Sequence, residues 1–235
     1  MIRFAVPLYG DKLRVITPPQ MLKFKRPVQV FILFTLAAAS AATARIGETQ
    51  SELEGRMLKN RTAVKVPARN QEVMLADRSI PYKHIYALLP EGVEQVIYFK
   101  PAEAEAAATS DLETPGRNPF PDGWTVHVIY YNGRSVFEAY RRAGAPMSRY
   151  EMESILVLNK GDSNWERVDA KNAAPSVIGY NFQRADKQVL ANKKGGTLIL
   201  FSPQLDAVML ETRQVANAES DQEAQEKAPD SVRGF

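Results

Sequence analysis

The most regular alternation in the chain is WTVHVIYYNGRSVFEAYRR, residues 124–142, where two β-branched and aromatic runs flank Asn132-Gly133. An Asn-Gly pair supplies the two positive φ angles of a type I′ turn, so the stretch predicts a β-hairpin. With an unbroken ladder, Tyr131 faces Arg134, Tyr130 faces Ser135, Ile129 faces Val136, Val128 faces Phe137, His127 faces Glu138 and Thr125 faces Tyr140. Alternation then assigns Val126, Val128, Tyr130, Phe137 and Ala139 to a core face. Thr125, His127, Ile129, Tyr131, Arg134, Val136, Glu138 and Tyr140 fall on a mixed face.

Helical spacing is clearest in PMSRYEMESILVLNKG. Ser148 and Glu151 have capping-box spacing, Met147 can staple to Met152, and Gly161 stands where a left-handed C-cap is expected. Met152, Ile155 and Leu156 form the inward stripe, and Trp165 is expected in the core at the helix exit. A second capping box, Thr49 with Glu52, starts a short helix near the front, with Leu53, Met57 and Leu58 on one face. Ser202 as N-cap and Pro203 at the first position start a last helix, with Leu205, Val208, Met209 and Val215 inward.

Further strands are predicted at 62–66, 72–75, 84–89, 93–100, 177–183, 189–192 and 197–201, with Gly195-Gly196 turning the last pair. Segment 101–123 loses its periodicity and reads as a long surface loop. From 216 to 235 the chain has almost no large apolar residues and reads as a disordered tail. The fold class that results is α+β, an antiparallel sheet packed with about three short helices, in one domain over 45–215.

Ahead of that domain stands KFKRPVQVFILFTLAAASAATARIGET. Lys23, Lys25 and Arg26, then the apolar run Val28 to Leu36, then Ala42-Thr43-Ala44 make the three parts of a secretory signal. Cleavage is expected between Ala44 and Arg45, with the signal spanning 21–44, Met21 as the start and residues 1–20 as a mis-assigned extension. The alternative is an uncleaved anchor over Val28–Ala44, 17 residues, at the lower edge of what crosses a bilayer. The expected location is periplasmic or extracellular, and inner-membrane anchored if the leader is retained.

The leader changes the charge argument. Residues 1–44 hold six of the 30 Lys+Arg and one of the 27 Asp+Glu, so the remainder carries a net charge of −2 and gives no electrostatic case for nucleic acid. The chain has no cysteine and two histidines, which excludes a lipid-bearing cysteine, thiol chemistry and cysteine or multi-histidine metal sites. No cofactor or metal is expected, and the partner is expected to be a protein or an envelope component, with a membrane only if the leader stays.

No GxSxG elbow, HExxH, phosphate loop or EF-hand loop is present. One constellation could carry chemistry. His127 opposite Glu138 would be an imidazole oriented by a carboxylate, as a general base requires, in an envelope hydrolase. Tyr131, Arg134 and Tyr140 around them would instead form a binding surface. A cross-strand ion pair among aromatics on a solvated face accounts for the same residues, and binding is the reading preferred over catalysis.

The ARIGET start with its capped helix, the NG hairpin and the SRYEMESILVLNKGDSNWE segment together resemble a family of uncharacterised exported bacterial proteins, over most of 45–209. That resemblance implies export and carries no activity with it. A shorter likeness, in a Gly and Thr pair opening short helices before a sheet, is to the small lipoproteins of outer-membrane assembly. Their lipid-bearing cysteine has no counterpart here.

Overall fold

The computed structural model describes residues 45–59, 63–102, 122–169 and 171–227. In chain order these form α1 (Gln50–Met57), β1 (Val64–Lys65), α2 (Ala68–Ala76), a 3₁₀ helix (Lys83–Leu88), β2 (Glu94–Pro101), β3 (Gly123–Tyr131) and β4 (Arg134–Ala143). Then follow α3 (Arg149–Leu158), β5 (Trp165–Arg167), β6 (Phe182–Arg184), β7 (Leu190–Lys194), β8 (Thr197–Phe201) and α4 (Pro203–Glu226). The strands make one antiparallel sheet in the order β1-β2-β3-β4-β8-β7-β6-β5. The class is α+β, as the hydrophobic pattern predicts.

Both faces of the sheet are covered. On one, Val96, Tyr98, Val126, Val128, Tyr130, Leu198 and Leu200 pack against Leu53 of α1 and Leu156 of α3. On the other, Ile129, Phe137, Ala139, Ile199 and Phe201 pack against Ile85 of the 3₁₀ helix and Leu205 and Met209 of α4. At the β2 end of that second face, Ile97 and Phe99 meet Met74 and Leu75 of α2. A sheet buried on both sides reads as near-continuous apolar runs, which is why β8 is buried at every position.

Two predicted strands are helical. Residues 72–75 lie within α2, where Pro67 sets the N-cap and Met74 and Leu75 reach the sheet while Val73 is exposed. Residues 84–89 fall in and just after the 3₁₀ helix, whose Ile85 is fully buried. Tertiary packing overrode β propensity at both places. In α2, Gln71 works as a surrogate for backbone: its Nε2 donates to the Val66 carbonyl at 2.6 Å and its Oε1 accepts from the Ile97 N–H at 3.2 Å. The side chain thereby closes part of the open edge of β2.

The capping boxes of α1 and α3 are both formed, and Gly161 has φ +58°. The far end of α3 is closed by side chains: Trp165 Nε1 donates to the Leu156 carbonyl at 2.7 Å, and Asn159 Nδ2 to the Ile155 carbonyl at 2.7 Å. These donors satisfy carbonyls that a helix end leaves unpaired. Trp165 itself belongs to β5, and segment 177–183 is largely irregular with only its end in β6.

In α4 the inward residues are Leu205, Asp206 and Met209, whereas Val208 and Val215, expected inward, are 37 % and 54 % exposed. Asp206 Oδ1 accepts from the backbone N–H groups of Val177 (3.0 Å) and Ile178 (3.3 Å), fixing that loop to the helix. The helix continues to Glu226, so residues 216–226, expected to be disordered, are helical. The leader (1–44), most of the long loop (103–121) and the end of the expected tail (228–235) lie outside the described residues. Among the described residues no helix is long and apolar enough to cross a membrane.

Candidate functional site

The hairpin forms where expected, with Asn132 at φ +51° and Gly133 at φ +72°. Its register starts as predicted, Tyr131 to Arg134 and Tyr130 to Ser135, and then slips by one residue. Ile129 pairs with Phe137, Val128 with Glu138, His127 with Ala139 and Thr125 with Arg141. Val136 is the extra residue of a β-bulge, and both Val136 and Phe137 turn to the face of Ile129. The bulge reverses the assignment of every later β4 side chain. Phe137 and Ala139 join His127 and Ile129, while Glu138 and Tyr140 join Val126, Val128 and Tyr130.

The proposed His127–Glu138 pair is therefore corrected: the two side chains lie on opposite faces of one sheet. His127 is 3 % exposed, among Tyr82, Tyr86 and Phe137 at ring distances of 5.7, 6.0 and 5.9 Å. Its Nδ1 lies 3.2 Å from the Tyr82 hydroxyl, and Nε2 has no hydrogen-bond partner among the described residues. Burial pushes its pKa down to about 3, so the imidazole is neutral at physiological pH. Among the described residues no carboxylate orients it, and it is buried from solvent.

Glu138 is fully buried on the other face. The Tyr140 hydroxyl donates to its Oε2, and Oε1 has no hydrogen-bond partner among the described residues. Burial raises the carboxyl's pKa; Tyr140, Arg56 and Arg45 pull the other way. Nearby on this face the Tyr98 hydroxyl donates to Glu54 Oε1 at 3.0 Å and lies 3.3 Å from that of Tyr130, whose pKa burial pushes up to about 12. Above the sheet, Arg56 of α1 grips Glu48 through Nη2 at 2.6 Å and Nε at 3.4 Å. Arg45 lies close enough to Tyr140 and Glu138 to act on both electrostatically. Arg45, Glu48, Arg56, Tyr98 and Tyr130 were missed as parts of a site because they come from four separate stretches of chain, and only the bulge turns Glu138 toward them.

The three residues expected to bind fall in different settings. Tyr140 is buried, Tyr131 is half-buried at the hairpin tip, and Arg134 is exposed with Nη1 donating to the Gly47 carbonyl at 2.7 Å. The mixed face is not a solvent surface, because the 3₁₀ helix and α4 cover it. Among the described residues there is no group of three acidic or histidine side chains that could hold a metal.

The outer face of α3 is different in kind. Tyr150, Val157 and Leu158 are 82 %, 61 % and 54 % exposed and sit at i, i+7 and i+8, on one side of the helix. Comparisons with protein-family models, curated proteins and solved structures give no match. The fold and site thus define an α+β domain with His127 and Glu138 sealed inside and an apolar stripe outside, and the two likenesses rest on the quoted residues alone.

Proposed function

We propose that this chain is an exported, non-catalytic binding domain, periplasmic or secreted, that engages a protein partner through the outer face of α3. The observation that carries the reading is the Tyr150, Val157 and Leu158 stripe, three large apolar side chains left in water on a helix whose other face is packed. The separation of His127 from Glu138 counts against the hydrolase alternative. Export is supported by the three-part leader ahead of the domain.

The absence of cysteine makes the test direct, since a single cysteine can carry a photo-crosslinker at a chosen position. In an exporting bacterium, probes at positions 150 and 157 should give one and the same adduct, and a probe at the equally exposed position 73 of α2 should not. Adducts from all three positions, or from none, contradict the α3 surface. In the same cells, the exported fraction should begin at Arg45. A full-length product held in the membrane would instead support the anchored scaffold.

A further inference from the structure

Three sealed polar atoms on the second face of the sheet have no hydrogen-bond partner among the described residues: His127 Nε2, Tyr86 Oη and Gln95 Oε1. They belong to neighbouring side chains. The Tyr86 ring, carried on the 3₁₀ helix, stands edge-on to the His127 ring, with centroids 6.0 Å apart and planes at 85°. Gln95 lies on β2 two residues before Ile97, so strand alternation turns it to the same face as Ile97 and Phe99. Ile97 pairs with His127 and Gln95 with Ile129, which sets Gln95 on the diagonal from His127, a separation that long side chains span.

The remaining surroundings of the imidazole are accounted for. Tyr82 stacks on it at 5.7 Å and brings its hydroxyl to 3.2 Å from Nδ1. Phe137 stands 5.9 Å away, and the residue paired with His127 on β4 is Ala139. Packing on both rings holds the histidine where it is, with Nε2 sealed. A buried donor or acceptor left unpaired is costly, and folded proteins satisfy such groups with one another or with ordered water.

The three atoms are complementary to water. With the Tyr82 hydroxyl donating to Nδ1, the neutral imidazole carries its proton on Nε2. Nε2–H and the Tyr86 hydroxyl are then donors, and the Gln95 carbonyl oxygen is an acceptor. One water can accept from both donors and donate to Gln95, three bonds in all, about the usual complement of a buried water.

We propose that His127, Tyr86 and Gln95 form an internal site for a single water molecule, which ties the 3₁₀ helix to β2 and β3. A histidine at position 127 then serves to hold water, and not to move protons for a substrate. This site is independent of the α3 surface.

The test is NMR on the full chain with 15N-labelled histidine. His127 should be the Nε2–H tautomer, and that proton should show a nuclear Overhauser effect to a water bound for longer than the tumbling time of the protein. The cross-peak should persist in Tyr86→Phe, which removes any relay through the tyrosine hydroxyl. It should fall at least fivefold in Tyr86→Phe/Gln95→Leu, which leaves the water one partner. An Nδ1–H tautomer, an Nε2–H without a water cross-peak, loss of the cross-peak in Tyr86→Phe, or its survival in the double variant overturns the inference. A cross-peak from Nε2–H to a small organic molecule overturns it as well, because the site would then hold something larger than water. If the double variant does not fold, the tautomer and the cross-peak in the unaltered chain and Tyr86→Phe decide.

Discussion

The two faces of the β3–β4 hairpin bury a histidine and a glutamate, and they do so in opposite ways. His127 is packed among rings, with one contact to a hydroxyl, and is kept neutral by being a base with a lowered pKa. Glu138 is buried beneath a polar layer of tyrosines, arginines and a second glutamate, and is favoured in its neutral form by being an acid with a raised pKa. A sheet interior accepts an ionisable group when its neutral form is favoured, and the sign of the pKa shift follows from the group's charge type. The same residues on one face would have been an ion pair. A single extra residue, Val136, decides between these outcomes.

The largest effect should come from Phe137, which packs on Tyr82 at 5.1 Å and beside His127. Phe137→Ala should cost about 3–5 kcal/mol in urea unfolding, because the fully buried ring leaves a cavity. In the unbroken register Phe137 would lie on the other face, and the His127 ring signals would be indifferent to its loss.

The next effect is a pH profile. Between the unfolded value near 6.5 and the folded value of about 3, the unfolded chain binds a proton at His127 that the native chain does not. His127 therefore removes about 1.4 kcal/mol of stability per pH unit as pH falls through that window. His127→Phe should track the unaltered chain near pH 7 and exceed it by about 2–3 kcal/mol at pH 4.5, relative to that baseline. Parallel pH profiles would show that the imidazole is not sealed.

Deleting Val136 sharpens the comparison. Beyond the bulge the faces are already those of a regular hairpin lacking this residue, so the deletion should retain the near-ultraviolet circular dichroism and cost about 1–2 kcal/mol for a half-buried valine. Loss of folding would mean that the bulge itself, and not the sorting of faces, is required. The smallest effect belongs to Glu138→Gln. A carboxyl raised by burial keeps its proton above 4.5 while the unfolded chain releases it, so native stability falls as pH rises past 4.5. The variant lacks that fall, and its stability relative to the unaltered chain should grow between pH 4 and 7 in urea titrations.

Much of the frame was legible from local signals: the Asn132-Gly133 turn, the Ser148/Glu151 and Thr49/Glu52 caps, Ser202-Pro203, and β8. What was not legible depended on contacts distant in sequence. Residues 72–75 and 84–89 are helical because the sheet needs cover on its second face. The extension of α4 beyond residue 216 carries no apolar stripe to announce it. The site misled for a subtler reason. Val136 and Phe137 are both apolar, so the alternation that reports a register is silent where the register slips.

The central claim is that His127 and Glu138 are sealed on opposite sides of the sheet, and the most direct measurement is the titration of the His127 imidazole nitrogens by NMR. The account predicts an imidazole that remains neutral at pH 5 and is unmoved by Glu138→Gln. An imidazole that titrates at or above 6.5, and falls when Glu138 becomes glutamine, would contradict it.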